Sequence, residues 1–248
     1  MLDILSLLIH RIRCLRKPLL RPKYNIARGR LSRKQIALTF DGHPGGSAVF
    51  SPDAAEAILE ELKIRKVTCS FFLTGQFIVN YPDMTRYIVA CGHEVGNHTF
   101  SHPHLDSIDE ETFKSELVRT AEALYQVTGS NMSPYWRAPY GEYNGALWKI
   151  AVNQGFRHVF WTSGIICGRN FDSSDWVDDP GSDRFRSSGQ IKRRMLSSRY
   201  KNGAIALFHL GARDHDPVYK IIPHLIDGWT LQGYRCVTIS ELVGPGRQ

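Results

Sequence analysis

Cysteine is scarce and scattered in this 248-residue chain. Its five cysteines, Cys14, Cys69, Cys91, Cys167 and Cys236, are odd in number and include no closely spaced pair. That spacing excludes a zinc ribbon and suits reduced thiols better than a disulfide framework. A membrane span is also missing: the apolar run near the start is too short to cross a bilayer. Its basic residues follow the run rather than precede it, the reverse of a secretory signal. There is no internal repeat and no low-complexity tract. Finally, the body of the chain lacks positive charge. Of the net +7, residues 1–34 carry ten Lys or Arg against one Asp, a local +9 that leaves −2 for the remainder. A broad basic footprint is therefore absent, and no nucleic-acid partner is expected.

What is present suits one catalytic domain with a basic preface. At 42% hydrophobic residues over 248 positions, the chain can bury a sizeable core, and α/β barrels of this length commonly fold as one unit. Leu5, Leu8, Ile9 and Ile12 follow helical spacing, with Arg11, Arg13, Arg16 and Lys17 ahead of Pro18. Residues 2–17 could lie on an anionic membrane surface or pack on the domain, and the pattern fits both. Pro18 to Lys34 reads as a basic connector, so residues 1–34 form the preface and 35–248 the catalytic domain. With no clear signal, the expected location is the cytoplasm or the inner membrane face.

Strand-like runs occur at Gln35 to Phe40, Val67 to Leu73, His93 to Asn97, Ser133 to Trp136, Arg157 to Thr162, Ala204 to Phe208 and Tyr234 to Ile239. Helical patterns at Pro52 to Ile64, Asp109 to Thr128 and Tyr143 to Gln154 separate several of them. Alternating strands and helices predict a parallel sheet closed, or nearly closed, into a barrel. Barrel enzymes carry their chemistry at the C-terminal strand ends. Four blocks sit where an apolar run stops: Thr39-Phe40-Asp41, His98-Thr99-Phe100-Ser101-His102, Arg137-Ala138-Pro139-Tyr140 and Ile205-Ala206-Leu207-Phe208-His209.

Those residue types form a hydrolase kit. Cleaving an amide or ester requires a deprotonated water, a positive field for the tetrahedral oxyanion and a proton for the leaving group. His98 and His102, four apart, can bring two imidazoles to one side of a turn and hold a divalent metal; otherwise they are surface histidines of a polar loop. Asp41 is either a general base or a strand-end turn residue. Arg137 is either a partner for that base or an ordinary ion pair, and His209 is either an acid or a structural histidine. Trp136 reads as core.

In this order, and with Gly92-His93-Glu94-Val95-Gly96-Asn97 leading into the histidine pair, the blocks resemble the polysaccharide deacetylase family, also called the NodB-like domain or carbohydrate esterase family 4. The resemblance covers roughly Gln35 to Leu242. It implies a distorted barrel of seven or eight mainly parallel strands and a divalent metal, with zinc the first expectation. It further implies Asp41 as the base, Arg137 as the residue keeping that base ionised, and His209 as the acid. Asp175, in Asp172-Ser173-Ser174-Asp175-Trp176, would orient His209. Trp176 and Leu207 would wall a pocket for the acyl methyl, and the Pro139-Tyr140 bend would present a backbone N–H to the oxyanion.

Two departures from the family pattern stand out. The position after Asp41, usually a second aspartate that completes the metal ligands, is Gly42. His43 is the nearest replacement, with a water as the alternative. The Asp172 block also lies eleven positions beyond Trp161, so Ser163 to Gln190 reads as an enlarged substrate-binding loop from which Asp175 could miss its partner. The expected activity is removal of N-acetyl groups from amino-sugar residues of a glycan. The alternatives are a carbohydrate-binding homologue weakened by Gly42, and a hydrolase of another C–N or ester bond.

Overall fold

The computed structural model describes residues 25–43, 50–163, 170–212 and 216–244. The amphipathic pattern of residues 2–17, Cys14 and Cys167 all lie outside them. Among the described residues, eight strands form one sheet: β1 (Asn25–Ile26), β2 (Gln35–Gly42), β3 (Ser70–Leu73), β4 (Glu94–Asn97), β5 (Tyr135–Trp136), β6 (Arg157–Val159), β7 (Ala204–His209) and β8 (Arg235–Val237). The order is β1-β6-β5-β4-β3-β2-β7, with β8 also on β2, and every strand pairing is parallel. The expected α/β architecture of seven or eight parallel strands is therefore present.

The ladder is open between β7 and the β6–β1 edge, and single hydrogen bonds bridge the seam. Gly29 N donates to Gly203 O (2.7 Å), Thr162 N to Ile205 O (3.0 Å), Phe171 N to Thr162 O (2.8 Å), Leu207 N to Phe171 O (2.9 Å) and Ser173 N to Leu207 O (3.0 Å). A chain that leaves β6 therefore runs alongside β7. This tether matters for the site, because it fixes the segment that carries Asp175.

The helices are α1 (Pro52–Ile64), α2 (Gly75–Asn80), α3 (Pro82–Ala90), α4 (Glu110–Thr128), α5 (Gly145–Asn153), α6 (Ser188–Ser197), α7 (Ile222–Leu231) and α8 (Ile239–Val243). Local chemistry sets several of their ends. Ser51 accepts from Ala54 N at the start of α1, with Pro52 in the first turn. Asp109 accepts from Thr112 N at the start of α4, and Gly129, at φ 71°, ends it. The helix α1 buries one face, made of Ala54, Ala55, Ile58, Leu59 and Leu62. Strand β2 is buried along nearly its whole length, as expected for a strand of a parallel sheet covered on both sides. Phe40, Phe71 and Phe208 are fully buried, and Phe40 stacks on Phe71 with centroids 5.3 Å apart. Truncating such a ring to alanine typically costs about 3–5 kcal/mol.

Several boundaries are corrected. Residues 25–34, read as connector, include β1, whose Asn25 and Ile26 register with His158 and Val159, so the folded domain reaches further toward the N-terminus than Gln35. The strand expected at Val67 to Leu73 starts at Ser70, after Cys69, and that expected at Arg157 to Thr162 stops at Val159. Part of the stretch read as one enlarged loop is ordered by β7, and its end enters α6. Among the described residues, no helix is long and apolar enough to cross a membrane.

Candidate active site

Register brings the predicted residues together. Asp41 on β2 lies beside His209 on β7 and beside Phe72 on β3. Asn97, just before His98, pairs with Trp136, just before Arg137. Because all these strands are parallel, their C-terminal ends share one rim, and Asp41, His98, Arg137 and His209 converge there from positions up to 168 residues apart in sequence.

Arg137 anchors the rim from inside. It is fully buried, and its Nη1 donates to Asp41 Oδ1 at 2.5 Å, Nη2 to Thr39 Oγ1 at 3.0 Å and Nε to Val159 O at 3.2 Å. The guanidinium carbon lies 4.1 Å from the Phe72 ring centroid. Burial lowers the Arg137 pKa, with the Asp41 charge and hydrogen bond opposing that shift, and the pair holds the Asp41 carboxylate in one orientation. The other carboxylate oxygen, Oδ2, stands 3.7 Å from His98 Nε2.

Three imidazoles gather over Asp41. Ring centroids are 4.8 Å apart for His98 and His102, 4.6 Å for His43 and His102 and 6.5 Å for His43 and His98. His98 Nδ1 lies 2.9 Å from Arg137 O. As this partner is a carbonyl, Nδ1 carries the proton and donates, which leaves the Nε2 lone pair facing Asp41. Burial lowers the pKa of His98 well below the ordinary value. For His102, burial with its neighbouring histidines pushes it down to about 2. Both rings are therefore neutral at physiological pH, the state a metal requires.

This donor set fits a divalent ion in kind. Three imidazoles bound tetrahedrally to one zinc at 2.0–2.1 Å have centroids about 5 Å apart, close to two of the observed spacings and shorter than the third. Among the described residues, no three His, Cys, Asp or Glu side chains already converge as a metal cluster, so common ligation requires the rings, His43 above all, to turn inward. A side chain at Gly42 would project toward the apolar wall: a Cβ there meets Leu73 Cδ2 at 2.6 Å and Phe77 Cδ2 at 3.6 Å.

On the strand next to Asp41 stands a second couple. Asp175 is fully buried; its Oδ1 accepts from His209 Nδ1 at 2.7 Å and Ser173 Oγ at 2.7 Å, and its Oδ2 accepts from His209 N at 2.9 Å. The long excursion after Trp161 thus still delivers Asp175 to His209, through the β7 tether. Burial alone would lower the His209 pKa, but the Asp175 charge and hydrogen bond, aided by Asp41 and Asp172, raise it above the ordinary value. The His209 ring is 5.9 Å from His43, edge-on.

Of the remaining predicted residues, Tyr140 reaches this centre. Pro139 is buried and Tyr140 is 54% exposed. Tyr140 sits at φ 55°, its ring edge-on to His102 at 4.6 Å and stacked on His104 at 4.0 Å. Gly141 permits the bend: at φ 61°, an added Cβ would lie 2.5 Å from Trp161 Cη2. Leu207 is buried within β7 and Trp176 is half-buried next to Asp175.

Residues 28–159 match the family described as polysaccharide deacetylase. A peptidoglycan-N-acetylglucosamine deacetylase of Bacillus cereus is 30% identical over 219 residues, covering 86% of this chain and 70% of the relative. The chain belongs to the polysaccharide deacetylase family. Its fold superposes on the crystal structure of the Bc1960 peptidoglycan N-acetylglucosamine deacetylase with a TM-score of 0.75 at 26% identity, covering 91% of this chain and 95% of that one. It is also similar, at TM-score 0.74 and 23% identity, to BA3943 of Bacillus anthracis, described as a family pseudoenzyme, covering 90% of this chain and 70% of that one. That last likeness concerns the fold alone.

Within this family member, the sequence reading missed supporting residues. His158, on β6, is fully buried; its Nε2 accepts from Ala138 N at 3.2 Å and its Nδ1 meets Asn25 Oδ1 at 3.0 Å, steadying the start of the Pro139-Tyr140 bend. Glu142 receives Leu105 N at 2.8 Å and faces His104 Nδ1 at 2.8 Å. Glu116, on α4, reaches the loop between the two histidines. Only Glu116 left a trace in the sequence: it falls in the helical stripe of Phe113, Leu117, Thr120 and Leu124, where an acid is out of place unless it has partners.

Proposed function

We propose that this chain is a metal-dependent N-deacetylase that removes acetyl groups from amino-sugar residues of a glycan of the peptidoglycan or chitin type. One observation carries the reading: two oriented couples, Arg137–Asp41 and Asp175–His209, border a single cluster of imidazoles. The relatives' activity supports the substrate class, and the site supplies the reaction type. His98 and His102, with His43 standing in for the second aspartate that Gly42 replaces, would hold the ion. When bound, a zinc-like ion supplies Lewis-acid polarisation of water and of the acyl oxygen.

The chain's own residues do the proton work. Asp41, aimed by Arg137, takes the proton from the attacking water. The Tyr140 backbone, set by the Pro139–Gly141 bend, faces the oxyanion that develops. His209, kept protonated beside Asp175, delivers its proton to the departing amine nitrogen. Leu207 and Trp176 close around the acetyl methyl and favour a small acyl group.

A second reading, a carbohydrate-binding homologue without turnover, is favoured by Gly42 and by the unconverged ligands. One experiment separates the two: zinc content of the purified chain, followed by acetate release from N-acetylated chitooligosaccharides and peptidoglycan fragments. About one ion per chain, lost in His98→Ala and His102→Ala and weakened at least roughly ten-fold in His43→Ala, together with acetate release, supports the enzyme. Glycan binding with neither metal nor acetate selects the second reading.

A further inference from the structure

The loop between the two candidate ligands is unusual backbone. Thr99 sits at φ 63° and His102 at φ 59°, both in the left-handed region that non-glycine residues avoid unless their surroundings enforce it. The loop is buried at His98 and Thr99 and half-buried at Phe100 and His102, and such backbone must place its peptide groups. Toward the end of β3 and the start of α2, His98 N donates to Leu73 O at 3.1 Å, Gly75 N to Thr99 O at 3.0 Å and Gln76 N to Phe100 O at 3.0 Å. Thr99 N donates to Asn97 Oδ1 at 2.9 Å. The next two N–H groups meet a carboxylate. Phe100 N and Ser101 N each donate to Glu116 Oε2 at 2.7 Å, and Ser101 Oγ donates to Oε1 at 3.0 Å.

We infer that Glu116 is a positioning residue that sets metal affinity by holding the His98–His102 loop in its strained conformation; this rests on the metal-dependent reading above. Glu116 is 6% exposed and stands on the core-facing side of a 19-residue helix. Its backbone is fixed as well, because its own carbonyl accepts from Thr120 Oγ1 at 2.7 Å. Asn97 Nδ2 ties the strand end to the same helix through Leu117 O at 2.9 Å. The carboxylate is matched to its task, since one oxygen accepts two N–H groups and the other accepts a hydroxyl. A glutamine keeps the shape, but with its oxygen on the two amides its NH2 faces Ser101, whose hydroxyl must reverse and accept, and the charge that strengthens all three bonds is lost. Packing reinforces the clamp: the Phe100 ring rests where a Cβ on Gly75 would be, 2.0 Å from Phe100 Cδ2, and Arg119 covers that ring at 3.9 Å.

Glu94 provides the internal control. It too accepts backbone N–H groups and serine hydroxyls, from Ser70, Ile239 and Ser240, but at the other end of the sheet. The test measures zinc affinity of the full chain by competition with a chromophoric chelator, for wild type, Glu116→Gln and Glu94→Gln, with urea denaturation of each metal-free protein alongside. The expected result is zinc affinity weakened about ten- to one-hundred-fold in Glu116→Gln and unchanged within about two-fold in Glu94→Gln, even where both lose similar stability. Wild-type affinity in Glu116→Gln, or an equal loss in both variants, overturns the inference. Wild type that binds no zinc rejects the metal reading, and this inference with it. If Glu116→Gln does not fold, amide exchange in the metal-free wild type decides: slow exchange at Phe100 and Ser101 supports the clamp, and exchange as fast as in open loops refutes it.

Discussion

The two ends of the sheet are built from similar residues and put them to different uses. At the C-terminal rim, Asp41, His98 and His209 are buried or nearly so, and each is held by Arg137 or Asp175 in a way that leaves a working atom for the centre. At the N-terminal end, Glu94 and His93 are equally tied down, but inward: Glu94 closes the start of α8, and His93 Nδ1 accepts from Cys69 N at 3.2 Å. The difference teaches that burial and hydrogen bonding of polar side chains do not by themselves mark a site. What marks the rim is that several such groups from separate strands face one another. The null result expected of the opposite end is therefore as informative as the losses expected at the rim.

The largest effect should come from the rim. Asp41→Asn keeps the volume and removes the base, so acetate release should fall by about 10²–10⁴-fold while the circular dichroism spectrum stays that of a folded chain, at a lower melting temperature because the buried Arg137 loses its counter-charge. Equal activity would mean that the two ends do not differ as described.

The next effect belongs to the other end and is one of stability rather than rate. Burial pushes His93 down to about 4 from an ordinary 6.5. Its folded-state pKa lies below its unfolded one, so the neutral ring stabilises the fold fully above pH 6.5, and that contribution is lost as pH falls toward 4. The loss is at most roughly 3 kcal/mol. His98, His102 and His158 act in the same direction, so the expected signature is a difference. In urea unfolding between pH 7 and pH 4, His93→Gln should show a shallower fall in stability than wild type by up to that amount, with rim activity at neutral pH retained. Parallel curves would show that His93 is not held neutral.

The smallest effect is a sharpening of the rim itself. Asp175→Asn removes the charge that raises His209, leaving burial to lower it. The pH–rate profile of acetate release should lose its alkaline limb first, with the upper midpoint moving to lower pH and the rate at neutral pH falling about ten-fold. An unmoved midpoint would separate His209 from the proton delivery assigned to it.

The fold was legible because its signals are local. Apolar runs ending in Asp41, Asn97, Trp136 and His209 mark strands, and Ser51, Asp109 and Gly129 mark helix ends, because capping and burial act over a few residues. Trp136, read as core, is fully buried. Strand β1 escaped notice because Asn25–Ile26 is too short to show a period and is defined by its pairing with β6. The helices α2 and α3 are short and follow strand β3 in a stretch whose alternation does not separate them. Within the site, histidines and carboxylates at strand ends were visible. His158 was not, since its partner Asn25 lies 133 residues away and nothing local distinguishes it from any other strand histidine.

By itself the sequence determined which chemical groups are available and on which strand ends they fall, because side-chain type and alternation are local properties of the chain. It also determined that Gly42 cannot supply a carboxylate. Only the tertiary structure decided which groups meet. The seam between β6 and β7, bridged through Thr162 and Phe171, carries Asp175 across a long excursion to His209. A buried glutamate from α4 holds the histidine loop, and His43 comes within reach of His102. These outcomes depend on parallel register and on backbone hydrogen bonds between distant segments, which form only when the whole sheet assembles.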